Sequence, residues 1–226
     1  MLTWKSSSSD PLIDDLVSRI HELPSRPPVC AFKVDLSADP ISASKSLLST
    51  LDSWLGPSAS VHILVNNAGC EVVAPLGKIS LGDYEKVYNL NVRAPLFLTQ
   101  ALLPRFDPDG NNRIINIGSV ASRAGFSGLG LYCSSKAALE GLTRCWAREL
   151  GKDGTTVNQV NPGPVDTKML EDIPAEIVDL QKRLTPVQNR VGTVEEIARI
   201  VAWLASDEAS WVSGQVISAS GGWAMY

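Results

Sequence analysis

What most constrains this chain is a regular alternation of two patterns. Short apolar runs of strand character ("VCAFKVDL", "VHILVNNAG", "RIINIGSV", "TTVNQVNPG", "GQVISASGG") recur between longer stretches with helical spacing. The first helical stretch, "LIDDLVSRIHEL", puts Leu12, Ile13, Leu16, Val17, Ile20 and Leu23 on one stripe, and "PSRPP" ends it. The others are "ISASKSLLSTLDSWLG", "LGDYEKVYNLNVRAPLFLTQALLPRF", "SSKAALEGLTRCWARELG" and "TVEEIARIVAWLAS". Apolar strands that alternate with helices predict a mostly parallel sheet covered on both faces, the doubly wound α/β arrangement. At 226 residues, the whole span 1–226 suits a single domain.

In such a sheet, ligands bind beyond the carboxyl ends of the strands. The polar residues just after the strands are therefore the functional candidates. They are Asp35, the turn Asn66-Asn67-Ala68-Gly69, Ser119 and the turn Asn161-Pro162-Gly163.

A second constellation opens the helix "LYCSSKAALEGLTR". Tyr132 and Lys136 stand four residues apart, so both side chains rise from one helix face. A phenol titrates near 10 and is a poor base at neutral pH; an ammonium beside it favours the phenolate. With that help, Tyr132 can give a proton to a carbonyl oxygen or take one from an alcohol. Ser119, 13 positions earlier, can hold the same substrate oxygen. Asn91, inside an apolar helical stretch, needs hydrogen-bond partners if buried, and can hold a water or backbone carbonyl beside Lys136. Each signal alone has an ordinary structural explanation: a solvated helix face, a helix cap, a satisfied core amide. Their order along the chain distinguishes them.

Composition narrows the field. The formal net charge is −4, and no Lys/Arg run makes a nucleic-acid footprint. Four cysteines without a CxxC pair and two scattered histidines predict no metal site. No uncharged apolar run reaches the length of a membrane span, and the opening "MLTWKSSSSDP" lacks a signal-peptide pattern, so the expectation is a cytoplasmic protein.

Asn66-Asn67-Ala68-Gly69, Asn91-Val92-Arg93-Ala94, Ser119, Tyr132-x3-Lys136 and Pro162-Gly163-Pro164-Val165-Asp166-Thr167, with the closing "WVSGQVISASGG", resemble the classical short-chain dehydrogenase/reductase family. The likeness runs from residue 1 to about 224 and looks closest to the 3-oxoacyl-carrier-protein reductase branch. It implies a three-layer Rossmann-like fold and reversible reduction of a ketone to a secondary alcohol with NADP(H), on an acyl, polyketide or ring substrate. It implies Tyr132 as acid/base, Lys136 lowering its pKa and holding the nicotinamide ribose, Ser119 on the substrate oxygen and Asn91 supporting a proton-relay water. Asp35 would meet the adenine, and Asn67, Ala68 and Gly69 would line the nucleotide path. Pro162, Gly163, Val165 and Thr167 would border the nicotinamide. Lys5, Ser6 and Ser7 occupy the loop where related reductases read the adenosine ribose, and Lys5 can pair with a 2'-phosphate. A homodimer or homotetramer through helices near 83–104 and 134–150 is also implied, as is a substrate-covering segment at 168–190 with Met169, Leu170, Ile173, Ile177 and Leu180 as its apolar wall.

Three departures stand out. Ala94 replaces the family's usual glycine, and Ser220 replaces the usual aspartate before Gly221-Gly222. No TGxxxGxG turn occurs, and the resemblance places the start of this chain at the end of the family's second strand. The expected sheet is therefore N-terminally shortened, interrupted where a central strand would lie, with weakened binding of either nicotinamide nucleotide. The readings that follow are a shortened form of an ordinary reductase, a short enzyme with altered cofactor use or non-redox acid/base chemistry at Tyr132, and a noncatalytic scaffold.

Overall fold

The computed structural model describes residues 1–5, 9–171 and 173–226; Ser6 and Ser7, assigned to the cofactor loop, lie outside the described residues. The alternation read from the sequence is realised as β1 (Leu2–Trp4), α1 (Asp10–His21), β2 (Ala31–Lys33), α2 (Pro40–Leu55) and β3 (Ile63–Asn66). After α3 (Leu81–Tyr88) and α4 (Ala94–Leu102) come β4 (Arg113–Ile117), α5 (Ala121–Ala124), α6 (Gly130–Leu150) and β5 (Thr156–Pro162). The chain closes with α7 (Lys168–Glu171), α8 (Ala175–Leu184), α9 (Val194–Ala205) and β6 (Val216–Ala219). Local chemistry sets several starts. Asp39 accepts the Ile41 amide at 3.1 Å and Pro40 opens α2, while Thr193 and Glu196 form a reciprocal cap on α9.

All strand pairs are parallel. β3, β4, β5 and β6 lie in that order in one sheet, and β1 pairs with β2 in a separate two-stranded sheet. This matches the expected interruption. β3 is an edge strand, and its Ile63 and Val65 are exposed on the side away from the main core.

Register decides the layers. Ile114 lies opposite Val157, and with Leu64 they pack under Leu47 and Leu51 of α2, Leu98 and Leu102 of α4 and Trp146 of α6. Ile115 and Val160 face the other way, against Leu204 and its neighbours on α9. The result is helix, sheet, helix: the Rossmann-like arrangement expected from the sequence. No helix among the described residues is long and apolar enough to cross a membrane.

Two local readings need correction. The stretch from Leu81 to Phe106 is not one helix: a π-helical turn, Asn89–Arg93, separates α3 from α4. Pro95 has no N–H to return to the carbonyl of Asn91, so α-helical bonding cannot run through this point, and the Ala94 amide reaches back five residues to Asn89. The central strands are also less apolar inside than expected. Asn66, Asn116 and Gln159 sit in register on neighbouring strands and are buried. Each is partnered: Asn66 donates to Asn116 at 2.8 Å, Asn116 to Thr143 of α6 at 2.8 Å, and Gln159 to Asn161 at 2.7 Å.

Candidate active site

The carboxyl ends of β3, β4 and β5 bring the candidate residues to the opening of α6. Ser119 follows β4, and its hydroxyl accepts the Ala121 amide at 3.1 Å while hydrogen-bonding to the Tyr132 phenol. One turn along α6, Lys136 is buried, with Nζ 5.8 Å from the Tyr132 ring centroid. That ammonium donates to the Ile117 carbonyl at 2.8 Å, which anchors it to the end of β4.

Asn91 is buried where the π-turn points it toward α6. Its Oδ1 accepts the Cys70 amide at 2.9 Å, and its Nδ2 donates to the Cys70 carbonyl at 2.9 Å and to Ser135 Oγ at 3.0 Å. The side-chain amide is thus committed to the turn after β3 and to α6. Gly69 is the point of closest approach: a β-carbon there would lie 3.1 Å from Lys136 Nζ and 3.4 Å from Asn91 Oδ1. Asn67 and Ala68 are exposed beside it.

On the opposite rim, Gly163 passes so tightly that a β-carbon would meet Ser220 Cα at 2.9 Å. Pro162 accepts the Val120 amide at 3.0 Å, Val165 bridges to Gly192, and Thr167 Oγ1 donates to the Val165 carbonyl at 3.3 Å. Asn91, Ser119, Tyr132, Lys136 and Gly69 therefore meet in one place, with Pro162, Gly163, Val165 and Thr167 on the strand end beyond.

Electrostatics corrects one expectation. Burial pushes the Tyr132 phenol up to about 12, despite the hydrogen bond with Ser119, and nearby Glu71 adds to the rise. Lys136 is itself driven down to about 8 by loss of water, and near neutrality it still carries its charge. The phenol is therefore a proton donor at neutral pH.

Lys5 is also differently engaged. It pairs with Asp35 at 2.9 Å and donates to Ser37 Oγ at 3.0 Å, so the two residues assigned to ribose and adenine contact each other. Burial raises the Asp35 carboxyl, but hydrogen bonds from Ser37 and Lys5 outweigh it and hold it at about 2.

Reading the sequence missed Glu140. It lies two turns after Tyr132, on the stripe that carries Lys136, and is buried. The i, i+4, i+8 spacing of Tyr132, Lys136 and Glu140 was the available signal.

The segment 168–190 holds α7 and α8. Met169, Ile177 and Leu180 are exposed there, so these apolar side chains are not consumed by helix packing.

The family described as enoyl-(acyl carrier protein) reductase matches residues 13–224. A dehydrogenase of Cochliobolus heterostrophus, OXI1, is 37% identical over 98% of this chain and 95% of its own length. A 3-oxoacyl-[acyl-carrier-protein] reductase of Thermotoga maritima is 32% identical, over 93% of this chain and 82% of its own. Among solved structures, a blue fluorescent protein from a metagenomic library, in complex with NADPH, superposes with a TM-score of 0.87 at 39% identity. It covers 99% of this chain and 86% of that one. The relatives carry different activities in their names, so the 3-oxoacyl branch is not singled out. Extent of match, fold and the order of the site residues agree: the chain belongs to the classical short-chain dehydrogenase/reductase family of oxidoreductases.

Proposed function

We propose that this chain reduces a ketone to a secondary alcohol with NADP(H), running in the reductive direction at neutral pH. The observation that carries this reading is the half-buried Tyr132 phenol, hydrogen-bonded to Ser119 and pushed up as an acid, with the Lys136 ammonium behind it. A carbonyl oxygen seated between the two hydroxyls would accept one hydrogen bond from Ser119 and the proton from Tyr132.

The nicotinamide nucleotide would supply the hydride. The residues present fit its nicotinamide end. Gly69 leaves room beside Lys136 that a methyl group would fill, and the ammonium has donors left beyond its bond to Ile117 for ribose hydroxyls. Val165 and Thr167, on the strand end beyond, are the residues the family resemblance assigns to its carboxamide. At the other end, the preference for NADP(H) rests on Lys5, which is half-exposed and can turn from Asp35 to a more highly charged 2'-phosphate. Two similar solved proteins are described with NADPH or NADP bound.

Exposed Met169, Ile177 and Leu180 suit an apolar substrate of the acyl, polyketide or ring-ketone class. A homodimer or homotetramer through α3, α4 and α6 is part of the same proposal; Leu81 and Tyr84 are exposed on that side. The deciding experiment follows NADPH oxidation with a panel of these ketones, for the wild type and Tyr132→Phe. Turnover that survives in the phenylalanine variant would reject the assignment.

A further inference from the structure

We propose that Glu140 and Asn161 are positioning residues for Ser119, forming a buried carboxylate–amide pair that sets the serine relative to Tyr132. The inference rests on the reading of Ser119 and Tyr132 as the proton-transfer pair.

Asn161 is fully buried at the end of β5, and every polar atom of its side chain is used. Its Oδ1 accepts the Ser119 amide at 3.1 Å and Gln159 Nε2 at 2.7 Å. The two hydrogens of its Nδ2 are shared among three acceptors, Glu140 Oε1 at 3.0 Å, Ser122 Oγ at 3.0 Å and the Tyr226 hydroxyl at 2.8 Å. Donors thus converge on one end of the amide and acceptors on the other. Turning the amide over would set its NH2 against the Ser119 and Gln159 donors and its oxygen against a carboxylate, so one orientation alone is tolerated.

Glu140 is the charged end of the arrangement. Its carboxylate also accepts Ser122 Oγ at 2.5 Å and Arg123 Nε at 3.0 Å. Ser122 and Arg123 belong to α5, which begins two residues after Ser119. The carboxylate therefore grips the serine segment twice: through Asn161 at the Ser119 amide, and directly at the first turn of α5.

The backbone has no slack at this point. A β-carbon on Gly118 would fall 2.0 Å from Asn161 Oδ1, so the chain lies against the amide just before the serine. Since Tyr132 and Glu140 stand on the same face of α6, one rigid helix carries the acid and, two turns on, the group that places its partner. Neither Glu140 nor Asn161 touches the reacting atoms; both act through Ser119.

The test is a double-mutant cycle of Glu140→Gln with Ser119→Ala, read by NADPH-dependent ketone reduction, together with amide hydrogen exchange at Ser119. Glutamine keeps the shape and removes the charge. The expected result is a fall of about tenfold in kcat with little change in KM, and Ser119 amide exchange faster by about tenfold. In the Ser119→Ala background, the same substitution should lower kcat less than about twofold.

Equal losses in both backgrounds, with unchanged exchange at Ser119, would overturn the proposal as a general packing effect. If Glu140→Gln does not fold, Tyr226→Phe removes one acceptor of Asn161 from the half-exposed edge of the cluster and is read in the same way. A wild type that folds but reduces no ketone would count against the functional reading. The exchange measurement would then decide the positioning claim by itself.

Discussion

Lys136 and Tyr132 share a helix face, yet the Lys136 ammonium bonds to the Ile117 carbonyl at 2.8 Å and lies 5.8 Å from the Tyr132 ring centroid. The lysine is placed to hold a charge beneath the phenol, without taking the phenol's proton. Burial, felt by both groups, moves them in opposite directions, to about 12 for Tyr132 and about 8 for Lys136.

The pH dependence of ketone reduction follows. Below about 8 the lysine is charged and the phenol protonated, so the rate should be level between neutrality and that point. Above it the ammonium loses its proton while the phenol keeps its own, and kcat should fall by up to about tenfold per pH unit. A steady-state profile that stays flat to pH 10 would show that the lysine charge is not used.

Removing the charge should stabilise the ligand-free fold. Lys136 binds its proton less tightly when folded, so between about pH 8 and its ordinary value of 10.5 the unfolded chain holds more protons and stability rises with pH. Below that window the buried cation is a cost. Lys136→Met should therefore raise stability at pH 7 by roughly 1 kcal/mol while abolishing turnover, and the gap between variant and wild type should close above pH 10. Urea unfolding at pH 7 and pH 10 would check both the sign and the window. A variant less stable at pH 7 would show that the methylene packing and the Ile117 bond outweigh burial.

Gly69→Ala offers a steric probe of the same corner. The new methyl would sit 3.1 Å from Lys136 Nζ, close enough to push the flexible end of that side chain by a few tenths of an ångström. Stability should drop by less than about 1 kcal/mol, whereas on the proposed role of Lys136 in holding the ribose kcat should drop by about tenfold. Thermal unfolding set against single-turnover rates separates the two effects. Unchanged turnover would mean that the lysine tolerates the shift.

The parts of the molecule that could be read beforehand are those written in local pattern. The strand and helix alternation needed only order and spacing, whereas the interrupted sheet and the grouping of Ser119, Tyr132 and Lys136 as one set came from the family resemblance. The π-turn at Asn89–Arg93 was hidden because apolar residues run on through Pro95 and mask the change in hydrogen bonding. The amides Asn66, Asn116 and Gln159 become a buried row only once strand register is known. Glu140 was passed over because a carboxylate on a helix ordinarily faces water. The direction of the Tyr132 shift is invisible for a related reason: helical spacing reports which charges are near, but burial depends on the whole fold.

The proposed preference for NADP(H) rests on Lys5, which meets Asp35 across the β1–β2 pair even though 30 positions separate them. Lys5 is half-exposed and Asp35 partly so, and such a pair holds the lysine weakly and leaves it available to a ligand of higher charge. A 2'-phosphate would compete for the ammonium, while the carboxylate of Asp35 would keep its two hydrogen bonds from Ser37, the amide at 2.9 Å and the hydroxyl at 2.6 Å. Binding of NADPH should therefore exceed that of NADH, and Lys5→Ala should reduce NADPH affinity by about tenfold with little effect on NADH. Asp35→Asn should act in the opposite direction, since it frees the lysine and removes a negative charge from the phosphate's surroundings. Calorimetric titration of the three proteins with both nucleotides tests this ordering. Equal affinity of wild type and Lys5→Ala for NADPH would remove Lys5 from the site and transfer the discrimination to other groups.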